Sequence, residues 1–275
     1  MNNKYHYLIS SLPDLAFDID AKGSDYQKTR QDIASQLMQS DLVLWEAMYL
    51  HHDNKNLLSY LMQTGELHNP LAKYSAEELE QEVREPGKLH SYMFDFVEQY
   101  WNKEGDAGKE VSYLELETKL QKYFYEYAGG LNSKFIRRWF DFERSLRNVQ
   151  AAFLSRKTKR DIANNLIGEG DLVEVLSRSN ASDFGLKGEE IWLDRALSVF
   201  EGKDIVEREW RIDALRWEMA DELCELEYFS IDVLLAYAAK MQIAERWAAL
   251  GEEIGAERLK QLIAEIHSSF VLEKS

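Results

Sequence analysis

The sequence predicts an all-α protein of roughly ten helices, and three observations carry this prediction. Apolar residues recur at helical spacings of three and four along most of the 275 residues. Only three prolines interrupt the chain, at Pro13, Pro70 and Pro86. Asn-Gly and Asp-Gly pairs, the usual turns of β-hairpins, do not occur. We therefore expect more than about 60% helix and no sheet beyond a minor hairpin.

The chain opens with an aromatic and aliphatic segment at residues 5–9, followed by a turn at residues 10–15. A proline restricts the residue before it, so Pro13 favours an extended conformation at Leu12. This predicts a short extended N-terminal arm or strand.

Capping residues and helix breakers divide the next stretch into five predicted helices. Ser75 and Glu78 form the pattern of a capping box at the third helix, and Gly65 and Gly87 lie at the ends of the second and third. The five helices cover residues 24–39, 40–65, 75–86, 88–103 and 112–128. Residues 104–109 are predicted to form a charged loop.

One long helix from Leu131 to Gly168 is the central element of the prediction. It would contain about 35 residues and reach roughly 50 Å. Its apolar residues follow a heptad pattern that other segments must cover. They are Phe135, Trp139, Phe142, Leu146, Val149 and Phe153.

We call these six apolar positions the seam of the helix. Basic residues flank the seam, although the chain has a net charge of −16. They are Lys134, Arg137, Arg138, Arg144, Arg147, Arg156, Lys157, Lys159 and Arg160. They form either a solvated face paired with acidic neighbours or a docking surface for an acidic partner. Arg137 and Arg147 are the candidate interface residues. Arg144 is expected to have a structural role, because acidic residues adjoin it.

Five further helices are predicted after the long one. They cover residues 171–178, 189–200, 204–226 and 231–251, with a last one from 255 to about 267. The segment 179–188 between the first two is predicted to be loose.

Composition excludes several classes of protein. The acidic balance argues against nonspecific nucleic-acid binding and against lying flat on an anionic membrane. A single cysteine, Cys224, excludes an internal disulfide and fits a reducing compartment. The longest apolar run, residues 233–239, is too short to cross a membrane, and no signal peptide is recognisable. We expect a soluble, cytoplasmic protein without membrane insertion.

Patterns of catalytic or metal-binding residues are absent from the sequence. It contains no Glu-x-x-His pair, no Cys-x2-Cys, no phosphate-binding glycine loop and no Gly-x-Ser-x-Gly. His51 and His52 are adjacent, so they point apart on a helix and cannot chelate one ion together. We predict no catalytic residue, no cofactor and no metal.

An internal echo links two parts of the chain and extends faintly to a third. Each of the first two has an acidic residue, then asparagine followed by an aliphatic residue. The residues involved are Asp53, Asn56 and Leu57; Glu143, Asn148 and Val149; and, in the faint copy, Glu245. Repetition at about 90 residues predicts one elongated all-helical domain over 1–275 with about three similar lobes, 1–110, 111–188 and 189–275. Chance similarity between amphipathic helices is the alternative.

This pattern resembles the C-type subunits of V-type and A-type rotary ATPases, which are called d-type in eukaryotes. The likeness rests on Asp53-x-x-Asn56-Leu57 and Glu143-x4-Asn148-Val149, with residues 234–240 and 245–247 similar to the closing segment of that family. Residues 7–15, 207–209 and 215–217 are more similar to a bacterial offshoot. Val149 replaces the usual leucine, and the third motif lacks its asparagine.

The resemblance implies a non-catalytic coupling subunit, a socket that joins the central stalk to the membrane rotor ring during ion translocation. Its partners would be the stalk and ring subunits, not nucleic acid. It would be cytoplasmic and peripheral to the inner membrane through those partners. Asp53, Asn56, Glu143, Asn148 and Glu245 would be structural motif residues. The alternatives are a generic helical scaffold of repeat type that binds another protein, and a helical enzyme with an unrecognised site.

Overall fold

The computed structural model describes residues 5–17, 25–66, 68–85, 87–101, 112–159, 162, 165–202 and 204–254. The chain is 72% helical without strands in these residues, which confirms the all-α prediction. The twelve α-helices found there are α1 His6–Ser10, α2 Tyr26–Gln36, α3 Gln39–Ala47, α4 Leu50–Met62, α5 Ala76–Arg84, α6 Ser91–Phe96, α7 Tyr113–Gly130, α8 Lys134–Thr158, α9 Asp171–Arg178, α10 Ile191–Glu201, α11 Ile205–Cys224 and α12 Ile231–Ile254. A π-helical turn, Val97–Trp101, follows α6.

Spatial proximity groups the chain into two compact units. One is continuous, residues 46–185, and the other combines residues 1–45 with residues 186–275. We refer to them as the continuous unit and the discontinuous unit. The division into three lobes stays a prediction.

The continuous unit is built around α8. Its predicted seam is buried at five of six positions, and Phe153 is half-buried. Phe135 and Trp139 stack with ring centroids 6.0 Å apart. Helices α7 and α9 pack against α8, and α4 and α6 pack against α7. The heptad pattern therefore identified the core-facing side of the longest described helix.

Helix α8 is shorter than predicted, because it ends at Thr158 and does not continue to Gly168. Lys159 adopts a left-handed conformation (φ 55°, ψ 37°), and its N–H closes the last turn on the carbonyls of Ser155 and Arg156. A left-handed C-cap ends a helix even when the residue is not glycine. The helix has 25 residues, about 37 Å in length.

Three other boundaries differ from the prediction. The N-terminal segment is helical at α1 and not an extended arm, because Tyr5 is anchored by its N–H to the Phe229 carbonyl and by its hydroxyl to Asp41. The predicted helix 40–65 is divided between α3 and α4 by a turn at residues 48–49. Helix α6 starts at Ser91, since residues 87–89 donate their N–H groups to Glu82. The predicted loop 104–109 and the helix 255–267 lie outside the described residues.

The discontinuous unit has a core rich in tryptophan. Helices α10 and α12 pack against α11, and α2 packs against α12. The Phe17 ring stacks on Trp210 and on Trp217, with centroids 5.2 and 5.5 Å away and interplanar angles of 8° and 11°. Trp247 meets Phe17 edge-on at 6.3 Å. An N-terminal residue thus occupies the aromatic core of the C-terminal helices.

We predict that Trp139→Ala lowers the free energy of unfolding by about 3–5 kcal/mol, as expected for truncation of a buried aromatic side chain. Leu154→Ala is the control on the same helix, because Leu154 is 44% exposed. It is expected to cost about 1 kcal/mol or less. Chemical denaturation measures both values, and a loss below about 1 kcal/mol for Trp139→Ala would contradict the seam.

Candidate functional site

The side-chain amide of Asn56, on α4, binds the loop residue Asn69 through both its oxygen and its nitrogen. Its Oδ1 accepts a hydrogen bond from the Asn69 N–H at 2.9 Å, and its Nδ2 donates to the Asn69 carbonyl at 3.2 Å. The Asn69 side chain in turn accepts from the Leu71 N–H at 2.9 Å. One buried amide therefore satisfies both backbone groups of the residue it faces.

Asp53 lies one turn before Asn56 on the same face of α4 and is 1% exposed. Its Oδ1 accepts from the N–H groups of Lys73 and Tyr74, at 2.8 and 3.1 Å. The chain enters α5 immediately afterwards, through the predicted capping box of Ser75. Asp53 and Asn56 together fasten the segment between α4 and α5 along the side of α4.

Asn148 on α8 repeats this arrangement. Its Oδ1 accepts from the Ile167 N–H and its Nδ2 donates to the Ile167 carbonyl, both at 2.8 Å. Ile167 is 2% exposed, and Gly168 (φ 84°) then turns the chain toward α9. We call the pairs Asn56–Asn69 and Asn148–Ile167 the asparagine locks.

The two locks give the sequence echo a structural counterpart. In each, a buried asparagine in a helix binds the backbone of a residue 13 or 19 positions later, shortly before the next helix. The aliphatic residues that follow, Leu57 and Val149, are both fully buried. The acidic positions differ, since Asp53 bonds its loop whereas Glu143 lies half-buried more than one turn before Asn148. The echo therefore marks two similar ways of closing a helix–loop–helix segment.

The third, fainter copy is built differently. Glu245 lies half-buried on α12, where burial raises the pKa of its carboxyl group and the nearby Arg30 opposes that rise. Its neighbours Arg246 and Trp247 instead reach Asp213 of α11. The Asp213 Oδ2 accepts from Arg246 at 2.8 Å and from the Trp247 Nε1 at 2.9 Å.

Asp213 is a site residue that the sequence did not predict. It is 2% exposed, and its Oδ1 also accepts from Arg216 at 2.9 Å. Arg246 extends the cluster to Glu209 at 2.7 Å. Its spacing could have indicated burial, because Asp213 lies three residues after Trp210 and four before Trp217, on the face of α11 that carries both tryptophans.

The basic flank of α8 is used largely inside the continuous unit. Arg147 is half-buried and donates to the Asn165 carbonyl at 3.1 Å and to Thr118 Oγ1 at 3.2 Å, and burial lowers the pKa of its guanidinium. Arg144 pairs with Asp141 at 2.9 Å. Arg137 is exposed and donates to the carbonyl of Leu131 at 2.9 Å. The two candidate interface residues thus lie in different surroundings.

Arg156 holds the segment that was predicted to be loose. Its guanidinium carbon lies 3.4 Å from the centroid of the Phe184 ring, and its nitrogens donate to the carbonyls of Ser179 and Ala181. Phe184 is buried. Within the segment 179–188, which the sequence predicts to be loose, residues 179–184 form a turn that is held by an arginine and a buried phenylalanine.

The Asp53 carboxyl group is unusual in its electrostatics. Burial raises its pKa to about 6, against the opposing effect of the Tyr74 and Lys73 N–H groups. Its Oδ2 is buried and has no hydrogen-bond partner among the described residues. The described residues also contain no group of three or more His, Cys, Asp or Glu side chains able to hold a metal ion. Asp53 can therefore take up a proton near pH 6 while its Oδ1 keeps the loop in place.

The fold and the two locks define an all-helical protein whose loops are fastened to helices by buried polar side chains. The family model described as "Protein of unknown function (DUF2764)" matches residues 1–269, and the chain belongs to this family. No curated protein and no solved structure matches the chain. None of the described helices has the length and apolar character needed to cross a membrane.

We predict that Asn148→Ala lowers the free energy of unfolding by about 2–4 kcal/mol, because it leaves two buried backbone groups of Ile167 without their partner. Asn132→Ala is the control, since Asn132 is exposed just before α8. Amide hydrogen exchange gives a local readout: protection at Ile167 should fall in Asn148→Ala alone. Unchanged protection there would contradict the lock.

A second prediction concerns Asp53 and pH. The folded chain binds the Asp53 proton more tightly than the unfolded chain, since the pKa is about 6 in one and 3.8 in the other. The resulting stabilisation is complete below about pH 4 and is lost as the pH rises to about 6. We expect wild type to lose about 2 kcal/mol relative to Asp53→Asn between pH 4 and pH 6, and roughly 3 kcal/mol in total once the pH is well above 6.

Denaturation at several pH values measures this difference. Asp95→Asn, at an exposed position on α6, is the matched control and should run parallel to wild type. A constant difference between wild type and Asp53→Asn from pH 4 to pH 7 would contradict the prediction.

Proposed function

We propose that this protein is a non-catalytic coupling subunit of a V-type rotary ATPase, joining the central stalk to the membrane rotor ring. The observation that carries the proposal is the pair of asparagine locks. The residues on which the resemblance to the C-type subunits rests, Asp53, Asn56 and Asn148, are buried and fasten loops to helices. The hydrogen bonds of these residues hold the fold together, and this is the role expected of motif residues in a subunit that transmits force.

Resistance to deformation is the property that such a role needs. A subunit that transmits torque must not yield at its loops, which are ordinarily the most mobile parts of a helical protein. Here the loops before α5 and α9 are each held by side chains of a long helix, and Arg156 holds the turn after α9. Within the continuous unit, these contacts support loop segments that resist displacement at Asn69, Ile167 and Phe184.

In this role the subunit lies on the cytoplasmic side of the inner membrane and is held there by its partners. Arg137 remains the candidate docking residue of the basic flank, because it is exposed at the start of α8. Arg147 instead supports the Asn148 lock from the neighbouring position. In this proposal Arg137 contacts an acidic surface on a stalk subunit.

The test is assembly with purified central-stalk and rotor-ring subunits of the V-type ATPase from the same organism. We expect a stoichiometric complex on size-exclusion chromatography. Arg137→Glu should slow association with the partner and alter its salt dependence while leaving thermal melting nearly unchanged. Arg147→Glu should cost about 2–4 kcal/mol of stability before any partner is added.

One result would count against the proposed function, and a second would count against the role of Arg137 alone. The first is a folded wild-type chain that binds neither stalk nor ring subunits at micromolar concentrations. The second, which removes only Arg137 from the interface, is normal association kinetics of a normally folded Arg137→Glu variant.

A further inference from the structure

An apolar patch is exposed on the discontinuous unit where α1 meets the loop after α11. Tyr7, Leu226 and Tyr228 are 89%, 85% and 69% exposed. Single exposed apolar side chains are ordinary on protein surfaces, whereas contiguous groups of large ones are typical of interaction sites. We call these three residues the aromatic patch.

The two chain segments that form the patch are tied together. The Tyr5 N–H donates to the Phe229 carbonyl at 3.3 Å, and the rings of His6 and Phe229 lie 4.3 Å apart. The His6 ring also meets the Tyr7 ring edge-on at 5.5 Å. Tyr7 and the loop are therefore held side by side before a partner binds. This preorganisation lowers the entropic cost of binding.

Acidic side chains flank Leu226 and Tyr228. Glu222, Glu225 and Glu227 are exposed beside Leu226 and Tyr228, and no basic side chain among the described residues pairs with any of them. Residues 221–232 contain five acidic residues and no lysine or arginine. Burial and then Asp221 raise the pKa of the nearby Cys224 thiol, and Lys240, which pairs with Asp221, opposes this rise.

We propose that the aromatic patch and its acidic rim form a docking surface for a basic amphipathic segment of a partner protein. Leucine, methionine or phenylalanine side chains of the segment would cover Tyr7, Leu226 and Tyr228. Lysines or arginines on its flanks would meet Glu222, Glu225 and Glu227. Charge complementarity at the rim would guide association, and apolar burial at the centre would supply most of the affinity.

The charge of the rim selects this occupant over two others. A second copy of the chain in a symmetric contact would bring the same acidic rim, so that like charges would face each other. A membrane with anionic lipids would repel the rim as well. The proposal is independent of the assignment to a rotary ATPase, and its test uses no ATPase subunit.

The test uses a defined probe, an 18-residue peptide of leucine and lysine arranged as an amphipathic helix and labelled with fluorescein. Fluorescence anisotropy at physiological salt measures its dissociation constant for the full chain. A scrambled peptide of the same composition has the same charge but no apolar face. We expect the amphipathic peptide to bind about tenfold more tightly than the scrambled one.

Two triple variants separate the patch from its rim. Tyr7→Ser with Leu226→Ser and Tyr228→Ser keeps the net charge, and Glu222→Gln with Glu225→Gln and Glu227→Gln keeps the patch. Each is expected to weaken binding of the amphipathic peptide about tenfold or more. The changed side chains are exposed, so circular dichroism should be that of wild type.

Matched controls lie elsewhere on the chain. Ile205→Ser removes an apolar residue that is 65% exposed at the other end of α11, about 29 Å from Cys224 along the helix axis. Glu98→Gln with Glu126→Gln and Glu169→Gln removes three exposed charges from the continuous unit. Both controls should bind the amphipathic peptide within about twofold of wild type.

Several results would overturn the proposal. Wild-type affinity in the serine variant, or equal binding of the scrambled peptide, would reduce the interaction to general charge attraction. An effect of the distant glutamine variant as large as that of the rim variant would do the same. Sedimentation that shows a wild-type dimer and a monomeric serine variant would identify the patch as a contact between copies of this chain.

Discussion

A buried side-chain amide bound to one loop residue by two hydrogen bonds is the interaction on which the continuous unit depends. Buried backbone N–H and C=O groups need partners, and a loop has no helical ladder to supply them. An asparagine amide carries one donor group and one acceptor group close together, as a peptide group does. Asn56 and Asn148 thereby allow Asn69 and Ile167 to approach a helix without losing their hydrogen bonds.

The discontinuous unit solves a similar problem with charge. The Asp213 carboxylate is removed from water between tryptophans, and such burial is costly unless both oxygens are satisfied. Arg216, Arg246 and Trp247 supply donors to the two oxygens. These bonds join α11 to α12 at the level where the Phe17 ring is stacked. Polar contacts therefore fix the register in which the aromatic core packs.

The sequence predicted the helices and the buried side of α8 because apolar spacing records directly which face is covered. It also selected Asp53, Asn56 and Asn148 through their repetition. It could not predict their partners, because those partners are backbone groups 13 or 19 residues away. Almost every residue type has such groups, so they have no sequence signature. The end of α8 at Lys159 was missed for a related reason: a lysine in a left-handed conformation has no sequence signature. Asp213 resembled the many solvated acidic residues of the chain.

The place of Phe17 in the core has a consequence for synthesis on the ribosome. The ring has no complete binding site until Trp210, Trp217 and Trp247 have emerged, although the whole continuous unit has been made by then. At about 5–20 residues per second, Phe17 waits roughly 10 to 40 s for the first of these tryptophans. During that interval chaperones can bind the N-terminal segment. A nascent chain stalled before α11 would leave the Phe17 ring exposed.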